Sequence, residues 1–305
     1  KQNIIVTASG MQGLALTALA LIDSGDRVVC IDPVWPNLGE SFKIAGGQID
    51  PTTLVARDGR WHLDMEQLLA KLTDKTKALL INSPNNPTGW VCSAEEQKII
   101  LDHCRKQGIW IVSDDVYARL YQHGPLAPGF QHLANADDLL ISINSFSKAW
   151  SMTGWRLGWI TAPTALEKTF AHLTEFNIAC PAGFIQEAGL AMIEQGEAEV
   201  SLLQHRLSKA LTLTRTRLKN LAGVSFIEPD GAFYCFFSVQ GLTDSLAFAH
   251  AILEKTKVGL APGLAFGPAG EGYLRLCYAQ DEKILNEAFD RLDKGFNAVR
   301  SSLLG

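Results

Sequence analysis

The sequence predicts an α/β fold followed by a smaller α+β unit, and three observations carry that reading. Apolar runs of strand length alternate with segments of helical periodicity through the first half of the chain. Those runs are continuously apolar rather than alternating, the pattern of strands covered on both faces of a mostly parallel sheet lying between helices. After Pro163 the order changes, with helical segments first and short strands after them.

Strands are expected over residues 27–32, 77–83, 109–115, 139–146 and 156–162. Residues 10–22 carry apolar side chains at helical spacing and stop near Gly25. Residues 93–107 open on Ser93 as N-cap with Glu96 three positions on, a capping box, and end at Gly108. Beyond Pro163, helices are expected over 165–176 and 184–195, with a longer charged one from about 198 to 221. Strands over 224–228 and 232–239, a helix near 245–255, a strand over 273–279 and an amphipathic helix from Glu282 complete the chain. The boundary is placed in the long helix, giving a large α/β domain over 1–205 and a small C-terminal α+β domain over 206–305. No repeats or low-complexity tracts occur.

With 305 residues, 47% of them hydrophobic, the chain can bury a large core. Its net charge of −5 implies no basic face, which argues against a nucleic-acid partner. None of the six cysteines forms a C-x-x-C pair, so they read as small buried hydrophobes of a reduced, cytoplasmic protein rather than as a disulfide or metal framework. No stretch is long and apolar enough to span a bilayer, and the run from Leu14 to Ile22 stops at Asp23. The first residues carry no signal-peptide pattern, and the chain starts without Met almost directly in a motif, so it reads as a piece of a longer protein.

Six short motifs carry chemistry. Ser145-Phe146-Ser147-Lys148 stands just past an apolar strand, with Arg156 eight positions beyond the lysine. A lysine near a second cation and desolvating walls loses its proton more easily, which suits Schiff-base chemistry. Arg156 and the two serines suit a phosphate. Lysines are mostly exposed, so a surface lysine at a strand end fits these residues equally well. Ser83-Pro84-Asn85-Asn86-Pro87-Thr88-Gly89 leaves a strand; an ordinary loop explains its prolines and glycine better than its two asparagines. Asp114 and Asp115 end another strand. An Asp there can hold a heteroaromatic nitrogen protonated, while for Asp115 a solvated strand end or helix cap is the preferred reading. Ser9-Gly10-Met11 opens a helix whose free N–H groups favour an anion, as any helix start does. Trp35, after another strand, suits stacking on a planar ring or filling core space. Arg275, flanked by apolar residues in a strand, calls for an anionic partner, whether a bound carboxylate or a structural Asp or Glu.

Taken together and in this order, these motifs resemble the class I/II aminotransferases, fold type I enzymes dependent on pyridoxal 5′-phosphate (PLP). SFSKAWSMTGWRLGW and NSPNNPTG carry the resemblance most specifically, TASGMQG and YLRLCYA less so. The resemblance implies that Lys148 holds the cofactor as a Schiff base and shuttles the proton of the substrate α-carbon. It implies that Asp114 keeps the pyridine nitrogen protonated, that Tyr117 and Asn86 bond the phenolic oxygen, and that Trp35 stacks on the ring. Ser9, Gly10, Met11, Ser145 and Arg156 would form the phosphate cup, and Arg275, with Asn86 beside it, would take the substrate α-carboxylate. The implied activity is ping-pong transfer of an α-amino group to a 2-oxo acid in a homodimer, with no metal and no membrane.

Two departures bear on this. Family members begin with a further segment that closes over the site and feeds the partner subunit's site, and no such segment is found here. Some aspartate-preferring members carry lysine where Met11 stands, so an uncharged, fairly large substrate side chain is expected instead. A PLP-dependent C–S β-lyase on the same scaffold, and an aminotransferase-like effector domain of a transcription regulator, are the alternatives that share these motifs.

Overall fold

The computed structural model describes residues 3–304; Lys1, Gln2 and Gly305, at the outer ends of the two expected domains, lie outside the described residues. In chain order the elements are β1 (Ile4–Thr7), α1 (Gly10–Leu21), β2 (Arg27–Asp32), α2 (Pro36–Ile44), β3 (Gln48–Arg57), β4 (Arg60–Leu63), α3 (Met65–Lys71), β5 (Thr76–Asn82), α4 (Ala94–Gln107), β6 (Trp110–Asp114), β7 (Leu140–Ser145) and β8 (Gly158–Thr161). There follow α5 (Glu167–Ile178), α6 (Gly183–Gln195), α7 (Glu197–Lys219), β9 (Val224–Ser225), β10 (Tyr234–Val239), α8 (Ser245–Thr256), β11 (Ala261–Pro262), β12 (Tyr273–Cys277) and α9 (Glu282–Leu304).

Eight strands form one sheet in the order β1-β8-β7-β6-β5-β2-β3-β4. The central strands β3, β2, β5, β6 and β7 are parallel, whereas β8, β1 and β4 run antiparallel to their neighbours. The apolar runs follow from the layers on either side. Val28 and Cys30 of β2 join a cluster with Leu14, Leu16 and Phe42 of α1 and α2, while Val29 and Ile31 join another with Leu68 and Ile100 of α3 and α4. A strand buried on both faces has no polar side to alternate with.

The second sheet is antiparallel, in the order β11-β12-β10-β9. With α7, α8 and α9 it encloses a third cluster that includes Phe237, Phe248, Phe289 and Phe296. Residue 205, where the domain boundary was placed, falls inside α7.

Local signals explain several element ends. Glu96 N donates to Ser93 Oγ at 3.2 Å and Ser93 N donates to Glu96 Oε2 at 2.8 Å, so the capping box at α4 is formed. Gly108 then turns left-handed at φ 68° and ends the helix. Other expectations need correction. The strand expected from Arg156 begins only at Gly158, because Arg156 itself is left-handed at φ 56° after a short 3₁₀ turn. The strand expected over 224–228 is two residues long, and Glu228 instead pairs with Arg215 of α7 at 2.9 Å. Cys180 is exposed, unlike Cys30, Cys92, Cys104 and Cys235, which are buried. Among the described residues, no helix is long and apolar enough to cross a membrane.

Candidate active site

The site is assembled at the carboxyl edge of the central sheet, where ligands bind in open α/β sheets. Strand register sets its rows. Asn82 of β5 pairs with Asp114 of β6, which in turn pairs with Ile143 of β7. Ser145 of β7 and Thr7 of β1 both pair with Gly158 of β8, so the start of α1 is carried to Ser145. Gly158 makes that approach possible: a Cβ there would lie 2.6 Å from Asn144 O and 2.7 Å from Gly10 N. Ser9 caps α1 from a left-handed conformation at φ 98°, accepting from Gln12 N at 3.5 Å.

Every residue given a site role above lines one cavity of about 360 Å³: Ser9, Gly10, Met11, Trp35, Asn86, Asp114, Tyr117, Ser145, Lys148, Arg156 and Arg275. Ser9, Gly10 and Ser145 line it together, a Cβ on Gly10 falling 3.5 Å from Ser145 Cβ, and so does Arg156, whose Nη1 donates to Thr153 O at 2.7 Å and whose side chain is exposed. Free N–H groups at a helix start, hydroxyls and a guanidinium make an anion cradle there.

Asp114 is buried, and Val116 N donates to its Oδ1 at 3.2 Å. Burial pushes its carboxyl up to about 6, against the single hydrogen bond from Val116 and the pull of Lys148. Asp115 corrects the sequence reading. It is buried rather than solvated, takes a hydrogen bond from Ser113 Oγ at 2.5 Å, and is pushed by burial to about 7. Alternation along the strand end groups Asp115 with Ser113, away from Asp114.

Lys148 sits in the turn after β7, half-buried, with Nζ 6.0 Å from the Tyr117 ring centre and 5.9 Å from that of Phe233. Burial lowers its ammonium pKa, Cys277 and Asp114 oppose that, and Arg156 and Arg275 add to it.

Arg275 reaches the cavity from β12. Its Nη1 donates to Asn86 Oδ1 at 2.9 Å, and its guanidinium carbon lies 4.4 Å from the Tyr234 ring centre and 4.8 Å from that of Phe266. No carboxylate pairs with it among the described residues, and its Nε is buried without a partner. The structural acidic partner weighed above is therefore not found, and an anion is what the guanidinium lacks. An arginine only donates, so the Asn86 carbonyl must face it, leaving the Asn86 amide N–H groups for another acceptor.

Trp35 is held by its backbone, Trp35 N donating to Asn86 O at 2.7 Å. The Asn86 loop is itself clamped to the second sheet's approach: Asp230 N and Gly231 N both donate to Gly89 O at 2.9 Å. Gly89, at φ 72°, has no room for a side chain, since a Cβ would stand 2.3 Å from Pro229 Cβ. Sequence reasoning missed Tyr234, Asn82 and Thr153 in the lining, as well as Cys277 close enough to Lys148 to influence its charge. Asn82, Thr153 and Cys277 lie inside the motifs quoted above without having been given a role there, and Tyr234 lies outside all of them. Only the strand alternation linking Cys277 to Arg275 pointed to one of them.

The family model described as aminotransferase class I and II matches residues 1–292. The aspartate aminotransferase of Pyrococcus horikoshii is 35% identical over 303 residues, 98% of this chain and 76% of that protein. Aromatic-amino-acid aminotransferase 2 of Thermococcus litoralis is 31% identical over 299 residues, covering 96% of this chain and 76% of that protein. Among solved structures, the aromatic aminotransferase of Pyrococcus horikoshii superposes with a TM-score of 0.91 at 31% identity, covering 97% of this chain and 80% of that one.

Proposed function

Since the chain belongs to the class I and II aminotransferase family, and is thus a PLP-dependent aminotransferase of fold type I, we propose that this one cavity is where it moves an α-amino group from an amino acid to a 2-oxo acid. The observation that carries the proposal is the meeting of Lys148, Asp114, the anion cradle and the carboxylate-free Arg275 in one space. Those groups fit PLP by their chemistry. The cradle matches the phosphate, the buried carboxylate matches a protonated ring nitrogen, and the half-buried lysine matches the aldehyde.

Bound PLP supplies a sink for the electron pair left on the substrate α-carbon. The chain supplies the rest. Ser9, Gly10, Met11, Ser145 and Arg156 would hold the phosphate, and Trp35 would stack on the ring. Asp114 would keep the proton on the ring nitrogen. Tyr117 and the Asn86 amide would donate to the phenolic oxygen. Arg275 grips the substrate α-carboxylate and so aims the α-hydrogen, and Lys148 Nζ takes that proton. The exchange proceeds in two half-reactions, donor amino acid first and acceptor 2-oxo acid second. The two sheets mark the proposed large and small domains.

A homodimer is part of this reading. The helices α5 and α6 expose large apolar side chains, Phe176 at 82% and Phe184 at 73%. Gln12 of α1 donates to Asn177 of α5 at 2.8 Å, so this face adjoins the anion cradle. Cytoplasmic residence goes with the reduced cysteines.

The two arginines are expected to separate by phenotype. Arg156→Ala should weaken PLP affinity, read by titrating the cofactor-free protein. Arg275→Ala should chiefly raise substrate KM, on the order of a hundredfold for loss of a charge-assisted fork. Swapped phenotypes would reverse the assignment of the phosphate and carboxylate ends.

Substrate class follows from the cations that line the cavity. Among the described residues these are Lys148, Arg156 and Arg275, and each already has a role. Met11, whose sulfur lies 3.7 Å from Asn37 Nδ2, offers no charge to a distal carboxylate. We therefore propose an uncharged, fairly large donor side chain. The names of the relatives, aspartate and aromatic aminotransferases, include both kinds. The test is loss of cofactor absorbance with each amino acid added singly to the full-length protein. Phenylalanine, leucine or methionine should exceed aspartate in kcat/KM by about a hundredfold. Aspartate coming out on top would remove Met11 as the discriminator.

A further inference from the structure

Tyr234, in β10 of the second sheet, has no role in the account above, yet it touches two groups that do. Its hydroxyl lies 3.1 Å from the Tyr117 hydroxyl, and the two rings meet edge to face at 80°. Both side chains are buried. Across its ring stands Arg275, with the guanidinium carbon 4.4 Å from the ring centre. One side chain thus joins the residue placed at the phenolic oxygen to the residue placed at the substrate carboxylate.

The hydroxyl pair has a direction once its protons are counted. A phenol has one proton to donate and lone pairs to accept with. On the proposed function, Tyr117 gives its proton to the phenolic oxygen of the cofactor. The bond between the two tyrosines then survives only with Tyr234 as donor. Such a chain polarises the middle hydroxyl and makes it a stronger donor, and burial keeps water from competing. Burial also holds both phenols neutral, so both protons are retained.

We propose that Tyr234 is a positioning residue, donating to Tyr117 so that Tyr117 donates more strongly to the phenolic oxygen, while its ring seats Arg275. The proposal rests on the placement of Tyr117 in the preceding reading. The titratable groups that face the pair are Asp114, Lys148, Arg275 and Cys277, all left in place by the variants below.

The experiment is a pH titration of the absorbance of bound PLP in the holoenzyme. A donor on the phenolic oxygen favours its deprotonated form and lowers the pKa of the chromophore. Tyr117→Phe is expected to raise that pKa. Tyr234→Phe, which keeps the ring, is expected to raise it by about half a pH unit with little change in KM. In the Tyr117→Phe background, Tyr234→Phe should add nothing. Tyr234→Leu should also raise KM several-fold, because Arg275 loses its platform.

A wild-type chromophore in Tyr234→Phe, with a shifted one in Tyr117→Phe, overturns the proposal and leaves the placement of Tyr117 standing. An additive effect in the double variant overturns the relay, since the Tyr234 hydroxyl would then act without Tyr117. An unshifted Tyr117→Phe overturns the placement of Tyr117 and the proposal with it.

Discussion

Lys148→Ala should abolish turnover, with kcat reduced on the order of 10⁴-fold or more, while the fold and the anion cradle are retained. One amine performs two tasks in the proposed mechanism, holding the cofactor and taking the α-proton, and among the described residues no other lysine lines the cavity to replace it. Burial, aided by Arg156 and Arg275, lowers its pKa. The neutral amine is the form that attacks an aldehyde. Attachment of PLP to the cofactor-free protein should therefore speed up as pH rises through that lowered pKa, reaching its plateau at a lower pH than a free lysine would. Borohydride reduction of the wild-type holoenzyme and peptide mapping should mark Lys148. A label on another lysine would sink the assignment.

Asp114→Asn should slow α-proton removal on the order of 10³-fold in single-turnover measurements, with PLP still bound. An amide cannot hold the ring-nitrogen proton by charge, so the sink is weakened where the chemistry needs it. The same substitution should not destabilise the cofactor-free protein above pH 6. The folded-state carboxyl titrates at about 6 instead of 3.8 because it is buried. Between those values the folded protein binds more protons than the unfolded chain, so stability falls as pH rises through that window. Asparagine carries no such penalty, so the stability lost between pH 5 and pH 8 in denaturant unfolding should be smaller in the variant than in the wild type, with a remainder from Asp115, whose buried carboxyl is pushed up to about 7. Asp115→Asn is the control, because that carboxyl is turned to Ser113. A rate for Asp114→Asn within a few-fold of wild type would remove Asp114 from the site.

The two units of the fold were legible for different reasons. Strands β2, β5, β6 and β7 stand out because both faces are covered, which leaves an unbroken apolar run. The helix α4 announces both its ends through Ser93, Glu96 and Gly108. By contrast β3 and β4 escaped notice. They form the outer edge of the sheet, where polar residues face water and Pro51 interrupts the pattern. The short helices α2 and α3 pack too few apolar residues to show a period.

For the site, the chemistry of each segment was legible and its company was not. A lysine after an apolar run, an aspartate at a strand end and an arginine alone in a strand are properties of a few neighbouring residues. Whether Lys148 faced water, whether Arg275 had an acidic partner and whether Asp115 was solvated were left open or misread. Each depends on what another segment brings alongside. Tyr234 shows this most clearly, since its hydroxyl finds Tyr117 at a separation of 117 residues and no motif links them. Local capping, burial period and side-chain chemistry were determined by the sequence alone, because they act within a turn or two of the chain. Register between strands, and the seating of one sheet over the other, decided which of those groups share a cavity, because contacts between distant segments exist only after the layers have packed.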